Sequence, residues 1–223
     1  MTELAPGVHL LTGFPKYGIN WYLVGDVLID AGGRPDAGRI IKQLRGHEVR
    51  AHALTHAHSD HQGSSHAVCT KLGIPFLVPE GDVVVAENPE LIKQRMPDHP
   101  MPKLMYALFH GPGHKVDQVL REGDEVAGFT VLDTPGHSVG HVSFWRESDR
   151  VLICGDVINT WHSFLMQLRP GVREPAGYFT PDPAQNRRSI KRIADLDPAL
   201  VLVGHGPPLY DVQQLKDLAT RLP

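Results

Sequence analysis

The segment that most constrains this chain runs from Thr55 to His61 and reads THAHSDH, with three imidazoles and one carboxylate in six consecutive positions. His56 and His58 are two positions apart, so on an extended strand their side chains share one side and can hold one metal ion. Asp60 and His61 lie just past that point, where the chain turns toward a helix, and they can face a second ion. The fold must therefore bring the end of a strand close to further ligands.

Three more candidate ligands occur downstream, each at the end of an apolar run and each beside a glycine. They are His137 in LDTPGH, Asp156 in LICGD and His205 in LVGHG. A glycine next to a ligand lets the backbone turn sharply and approach an ion closely, and the end of a strand holds a ligand rigidly. Imidazole nitrogen and carboxylate oxygen together suit zinc, and also iron or manganese. We therefore expect a site for two divalent ions, with zinc as the first expectation and iron or manganese still open.

Short apolar runs punctuated by glycine, proline and aspartate predict strands with peripheral helices. The predicted strands are Val8–Leu11, Ile19–Val24, Val27–Asp30, Ala51–Leu54, Ile74–Val78, Val126–Leu132, His141–Trp145, Val151–Cys154 and Leu200–Val203. Helices are expected after Asp36, from Ser64 or Ser65 to Leu72, over Glu90–Arg95, from Asp182-Pro183 and from Asp211. Apart from that short helix, residues 86–115 are rich in proline and methionine, and an irregular, partly apolar excursion is expected there.

The composition excludes several classes of protein. Residues 1–223 are 41% apolar and suffice for one core, so we expect a single domain of the α/β (α+β) class, with two sheets flanked by helices. A formal net charge of -3 without a basic stripe argues against a nucleic-acid partner. The two cysteines, Cys69 and Cys154, are too few for a zinc site built on thiolates or for a disulfide framework. No apolar stretch approaches the roughly 20 residues that span a bilayer, and no leader peptide is expected. These features favour a cytoplasmic protein with a small-molecule substrate and no membrane partner, while a homodimer stays open.

The order HxHxDH, PGH, GD and GHG resembles the metallo-β-lactamase superfamily over nearly the whole chain. The resemblance implies a four-layer αββα sandwich with the metal ions at one edge. The ligands that it implies are His56, His58 and His137 for one ion, Asp60, His61 and His205 for the other, and Asp156 between the two. Asp30, at the end of VLID, matches a position that orients a metal ligand from behind.

The same resemblance implies hydrolysis by a hydroxide that bridges the two ions, without a serine or cysteine nucleophile. Asp60 would be a ligand that could also take a proton during turnover. Members that hydrolyse antibiotics are usually exported and lack a bridging aspartate, so Asp156 argues against that activity. Only 18 residues follow His205, which is too few for the glutathione-binding extension of thioesterases of the glyoxalase-II type. The chain is more similar to lactonase-like and small thioesterase-like members, and we expect it to hydrolyse a small ester, thioester or lactone.

Two other interpretations stay open. One is an iron-dependent oxidoreductase of the same fold, similar to the persulfide dioxygenases; the other is a non-catalytic metal-binding protein, which the intact ligand set disfavours. His141 is expected to pack beneath the site. Bulky side chains that follow Asp156 or lie in the excursion are candidates for the wall of a pocket and suggest an acyl or aromatic group in the substrate: Trp161, His162, Phe164, Tyr178, Phe179, Met105, Tyr106 and Phe109.

Overall fold

Two mixed β-sheets form the centre of the protein in the computed structural model, which describes residues 1–161 and 171–223. The first sheet has seven strands in sequence order: Thr2–Ala5 (β1), Val8–Leu10 (β2), Tyr22–Val24 (β3), Val27–Ile29 (β4), Ala51–Ala53 (β5), Phe76–Pro79 (β6) and Gln118–Leu120 (β7). The second sheet has five strands: Glu125–Val126 (β8), Phe129–Asp133 (β9), Val142–Arg146 (β10), Val151–Gly155 (β11) and Leu200–Val203 (β12). Neighbouring strands are parallel from β4 to β7 and between β11 and β12, and antiparallel elsewhere.

Helices connect the strands on both sides of this pair of sheets. They are Ala37–Gln43 (α1), Ser59–Gln62 (α2), Ser65–Leu72 (α3), Val83–Glu87 (α4), Ile92–Arg95 (α5), Pro100–Phe109 (α6), Pro183–Asp195 (α7) and Gln213–Arg221 (α8). In the part of the chain that the structure describes, no helix has both the length and the apolar character that crossing a membrane requires.

The side chains of the central strands β3 to β6 of the first sheet and β11 and β12 of the second alternate between two buried layers, which explains their almost continuous apolar runs in the sequence. Ile29 and Ile153 point into the space between the sheets, whereas their neighbours Leu28 and Leu152 point outward. The outer face of the first sheet packs against α1 and α3, and that of the second sheet packs against α7 and α8. The expected four-layer αββα sandwich is therefore confirmed.

Several predicted helix ends are also present. The side chain of Asp182 accepts a hydrogen bond of 2.8 Å from the backbone N–H of Gln185 and begins α7. Gly73 ends α3 in the left-handed conformation, with a φ of 65° that favours glycine.

The prediction of an irregular excursion over residues 86–115 is wrong for its second half, which contains the ten-residue helix α6. Pro100 and Pro102 lie in the first turn of this helix, where the backbone N–H has no intrahelical partner and proline removes nothing that the helix needs. The side chain of His99 accepts a hydrogen bond of 3.2 Å from the N–H of Met101 and caps the same turn. The prolines therefore begin this helix and do not prevent it.

His52, on β5, is a fully buried polar residue between the first sheet and α3. Its Nδ1 donates to the carbonyl of Leu28 at 3.0 Å, and its Nε2 accepts from the hydroxyl of Ser65 at 2.8 Å. The ring also stacks on Phe76, with 5.2 Å between the ring centroids. Burial lowers the pKa of His52 to about 4, because this packed position favours the neutral ring.

We predict that His52→Gln makes the protein less sensitive to acid. In the unfolded chain the imidazole has its ordinary pKa of 6.5, whereas in the native state its pKa is about 4, so the stability of the wild type falls as the pH drops between these values. The wild type should lose about 2 kcal/mol more than the variant between pH 7 and pH 5. Urea unfolding of both proteins at the two pH values measures this difference, and equal losses would contradict the prediction.

Candidate metal centre

The seven sequence-predicted ligands converge at one edge of the sandwich. His56 follows β5, His58 is the N-cap of α2, Asp60 and His61 lie in α2, His137 lies between β9 and β10, Asp156 follows β11, and His205 follows β12. Their ligand-type atoms lie within 4.8 Å of one another in three groups: His56, His58 and His137; His56, His61 and Asp156; Asp60, His61 and His205. The two sheets thus each contribute ligands, and the site forms only when the sandwich is assembled.

The carboxylate of Asp156 lies between the two histidine groups. Its Oδ2 is 3.3 Å from Nε2 of His137, a member of the first group, and 3.1 Å from Nε2 of His205 in the last group. Its Oδ1 is 3.6 Å from Nε2 of His61. Because each oxygen faces imidazole nitrogens, this carboxylate can serve two neighbouring cations at once.

Hydrogen bonds behind the site fix the orientation of two imidazoles. Nδ1 of His61 donates to Oδ2 of Asp30 at 2.9 Å, and the hydroxyl of Thr55 donates to the same oxygen at 2.8 Å. Since that hydroxyl has only one hydrogen, the contact of 3.0 Å between Thr55 Oγ1 and His56 Nδ1 is a bond that the imidazole donates. Both rings therefore carry their proton on Nδ1 and keep the lone pair of Nε2 for the centre.

Two further imidazoles with a bonded Nδ1 are oriented in the same way. Nδ1 of His205 donates to the carbonyl of Gly18 at 2.5 Å. Nδ1 of His137 lies 3.3 Å from the hydroxyl of Thr180, which itself donates to the carbonyl of Ala176 and so accepts from the ring. Four different acceptors thus leave four Nε2 atoms available as ligands.

These residues fit divalent metal ions. Nε2 of His56, His58 and His137 and Oδ1 of Asp156 are buried and have no hydrogen-bond partner among the described residues. Leaving a buried polar atom without a partner costs about 1–3 kcal/mol, and such atoms gathered at one point are satisfied together by a cation. Gly204 makes room for this arrangement, because a Cβ atom there would collide with Oδ1 of Asp156.

The electrostatics differ between the two sides of the cluster. Around His56 and His58 they favour neutral imidazoles, which metal ligands must be, and around His61 and Asp156 they attract a cation. Burial lowers the pKa of His58 to about 3 and that of His56 well below its usual value, so both rings are neutral. At His61 burial acts in the same direction, but the carboxylates of Asp156 and Asp30 outweigh it and raise the pKa to about 10. The pKa of Asp156 is held well below its usual value because the neighbouring imidazoles, led by His205, outweigh its burial. A proton on His61 thus occupies a position that a metal ion would take over.

Comparison with known proteins identifies the family. The family model of the metallo-beta-lactamase superfamily matches residues 15–205. The probable metallo-hydrolase YflN of Bacillus subtilis (strain 168) is 31% identical over 99% of this chain and 92% of its own length. The chain belongs to the metallo-β-lactamase superfamily.

Two further members show the range of the similarity. The hydroxyacylglutathione hydrolase of Bdellovibrio bacteriovorus is 30% identical, and the match covers 59% of this chain but only 43% of that protein. The solved structure of TTHA1623 in a di-iron-bound form has 30% sequence identity and a TM-score of 0.67, covering 96% of this chain and 98% of that one. The chain is thus a metal-binding member of a superfamily of metallo-hydrolases.

A cavity of about 1230 Å³ opens beside the metal centre of this superfamily member. His58, Asp60, His137, Asp156 and His205 lie at its base. Six of the side chains suggested from the sequence line it, namely Met105, Tyr106, Phe109, Trp161, Tyr178 and Phe179, whereas His162 and Phe164 lie outside the described residues. Asn159 lines the same cavity, and its buried Oδ1 has no partner among the described residues.

His141 lies beneath the centre, as the sequence predicts. Its Nε2 accepts a hydrogen bond of 3.0 Å from the backbone N–H of Asp156, and its Nδ1 contacts the hydroxyl of Thr134 at 3.0 Å. Because both ring nitrogens are engaged, His141 holds the backbone that carries Asp156 and has no free nitrogen for an ion.

Asp82 was missed by the sequence analysis, although it joins two of the ligand-bearing loops. Its Oδ2 accepts from the N–H of Ala57 at 2.9 Å and from the hydroxyl of Ser138 at 2.7 Å, while its Oδ1 accepts from the N–H of Gly140 at 2.9 Å. It thereby fixes the loop of His56 and His58 against the loop of His137. An isolated aspartate after a strand gave no signal for this role.

We predict that Asp30→Asn lowers the affinity for metal by about 10- to 100-fold, as expected when the acceptor behind a ligating histidine is weakened. Asparagine tolerates the left-handed backbone of Asp30, whose φ is 58°, so the substitution changes the charge and leaves the backbone intact. Titration against a coloured chelator measures the affinity. The control is Asp26→Asn in the preceding turn, where the side chain is about half-exposed and contacts Arg50 at 3.6 Å. Equal affinities of the two variants would show that Asp30 does not act on His61.

We also predict that His141→Ala retains the metal stoichiometry of the wild type. The variant should lose about 1–3 kcal/mol of stability, because the N–H of Asp156 loses its acceptor. Elemental analysis and chemical unfolding separate the two effects. Loss of a whole equivalent of metal would identify His141 as a ligand.

Proposed function

We propose that this protein is a dinuclear metal-dependent hydrolase that cleaves an ester, thioester or lactone bond in a small-molecule substrate. The observation that carries the proposal is the position of the Asp156 carboxylate between two groups of imidazoles whose Nε2 atoms face it. In this proposal the ligands of one ion are His56, His58 and His137, those of the other are Asp60, His61 and His205, and Asp156 contacts both.

Residues of the chain would assist the metal ions in such a reaction. When bound, the two ions supply a water of lowered pKa and polarise the carbonyl of the substrate. Asp60 lines the cavity, and its Oδ2 lies 3.3 Å from Nε2 of His205. Burial would raise the pKa of Asp60, but the hydrogen bond from His205 and the charges around it lower the pKa, so this carboxylate is ionised and available as a metal ligand. We propose that Asn159, which lines the same cavity, also contacts the substrate.

The nature of the site and of the relatives supports hydrolysis of an acyl bond. No serine or cysteine nucleophile is needed, and both cysteines of the chain, Cys69 and Cys154, are buried. Burial raises the pKa of the Cys154 thiol above its usual value, so the thiol is unreactive at neutral pH. One relative is named for a thioester substrate, hydroxyacylglutathione. We further propose zinc as the resident metal and the cytoplasm as the compartment, which suits two reduced thiols.

An iron-dependent oxidoreductase is the second candidate, and the di-iron form of the similar protein TTHA1623 is the observation that favours it. The kinds of ligand present suit both candidates, since imidazole and carboxylate bind iron as well as zinc. Elemental analysis of the purified protein, paired with oxygen uptake and a panel of thioesters, lactones and phosphodiesters, distinguishes them. Chelator-sensitive hydrolysis without oxygen uptake supports the hydrolase, whereas oxygen uptake that depends on iron supports the oxidoreductase.

We predict that His58→Ala removes most of the bound metal and of the activity, while the protein still folds. The substitution deletes one of the three histidines proposed for the first ion, so metal is lost. The deleted ring contacts another candidate ligand, with 4.5 Å between the centroids of His58 and His137, and is not part of the apolar core, so the protein should still fold. Metal content and circular dichroism measure the two properties, and His47→Ala, on an exposed turn, is the control. Full hydrolytic turnover by the metal-free variant would exclude the proposed mechanism.

A further inference from the structure

One wall of the cavity is formed by α6. Met101, Met105 and Phe109 follow each other at intervals of four residues, so they lie on one side of this helix, and all three line the cavity. Leu104 and Leu108 lie on another side, are absent from the cavity lining and are 44% and 47% exposed. The helix therefore presents a flexible, methionine-rich surface to the metal centre.

A second wall is aromatic and contacts the start of α6. The rings of His99, before α6, and Tyr178 stack with 4.5 Å between their centroids and 13° between their planes. Tyr178 and Phe179 both line the cavity, as does Trp161. The space between the two walls is thus bounded by apolar groups and leads to the carboxylates and imidazoles at its base.

Each lysine in the described part of the cavity wall contacts another side chain of the chain. Among the described lining residues these are Lys93, whose ammonium lies 4.2 Å from the centroid of the Tyr106 ring, and Lys103, which pairs with Asp98 at 2.6 Å. A substrate with several carboxylates or phosphates, such as a glutathione or nucleotide thioester, would need unpaired cations at this position. The described part of the wall offers it methionine, aromatic and proline side chains.

We propose that the substrate is an uncharged ester, thioester or lactone with a long apolar acyl chain, which lies along Met101, Met105 and Phe109. This inference rests on the proposed function, since it assigns the reacting carbonyl to the metal centre. The cavity of about 1230 Å³ exceeds the roughly 300–1,000 Å³ of common ligand pockets, which suits a bulky substrate better than a short one.

Chain length is the variable that tests the proposal. With N-acetylcysteamine thioesters from acetyl to dodecanoyl, kcat/KM should rise by about two- to fourfold for each added methylene until the cavity is filled. S-lactoylglutathione, whose leaving group is anionic, should be hydrolysed with a kcat/KM at least about tenfold below that of the octanoyl thioester. A flat dependence on chain length, or a preference for the glutathione thioester, would overturn the inference.

A matched pair of variants locates the acyl chain. Met105→Gln should lower kcat/KM for the decanoyl thioester by a factor about fivefold or more larger than the factor by which it lowers kcat/KM for the acetyl thioester. Leu104→Gln, at the adjacent exposed position of the same helix, should change neither value. If both variants behave alike, the acyl chain does not lie along this face of α6.

Binding without turnover separates this inference from the proposed function. N-methyldecanamide, whose amide is far less reactive than a thioester, should bind the metal-loaded protein with a negative heat capacity change in calorimetry. Its affinity for the Met105→Gln variant should be lower than for the wild type. Binding of this amide with no hydrolysis of any ester, thioester or lactone would refute the hydrolase and retain the apolar site. Thioester hydrolysis with no binding of the amide and no dependence on chain length would refute the apolar site and retain the hydrolase.

Discussion

The hydrogen bonds that converge on the buried carboxylate of Asp30 hold the metal centre in position. Besides the ring of His61 and the hydroxyl of Thr55, its Oδ1 accepts from the backbone N–H of Thr55 at 2.8 Å. The backbone of the same segment adds two hydrogen bonds. The N–H of Asp30 donates to the carbonyl of Ala53 at 2.9 Å, and the N–H of Ala31 donates to the carbonyl of His61 at 2.7 Å. One residue directly after β4 thus fixes the end of β5, the helix α2 and the tautomers of two imidazoles.

The centre concentrates charges that only a cation or several protons can balance. Asp30, Asp60 and Asp156 lie beside imidazoles in a region where an unpaired ion costs several kcal/mol. Without metal the balance comes from protonated rings, and the carboxylates around His205 raise its pKa well above the usual value although burial acts against this. Metal and protons therefore compete for the same nitrogens, and binding of one displaces the other. Folding and metal binding are coupled for the same reason, since the unfolded chain has no such cluster.

The sequence was sufficient for the parts of the protein that depend on local patterns. Ligands at spacings of one to two residues, next to strands and glycines, identified the seven residues that the structure brings together, and the alternation of apolar runs identified most strands. Strands β1 and β7 were missed because they are short and carry polar residues. Helix α6 was not predicted, because prolines usually indicate irregular structure; Pro100 and Pro102 lie in the first turn of the helix, where proline is tolerated. Asp82 depends on three donors from distant segments, and no local pattern encodes that.

The metal centre and the cavity wall are built from different parts of the fold, and this separates chemistry from specificity. The ligands lie at strand ends and in α2, held by residues such as Asp30, Asp82 and His141 that are almost fully buried. The wall includes α6 and the turn Gly177–Phe179, which lie outside the two sheets and are joined by a stacked pair of rings. We therefore expect substitutions of cavity-facing side chains of α6 to act mainly on the shape of the cavity, whereas a change at Asp30 acts first on the ligand His61. A fold arranged in this way can keep one mechanism and exchange its substrates, because the residues that select the acyl group do not hold the ions.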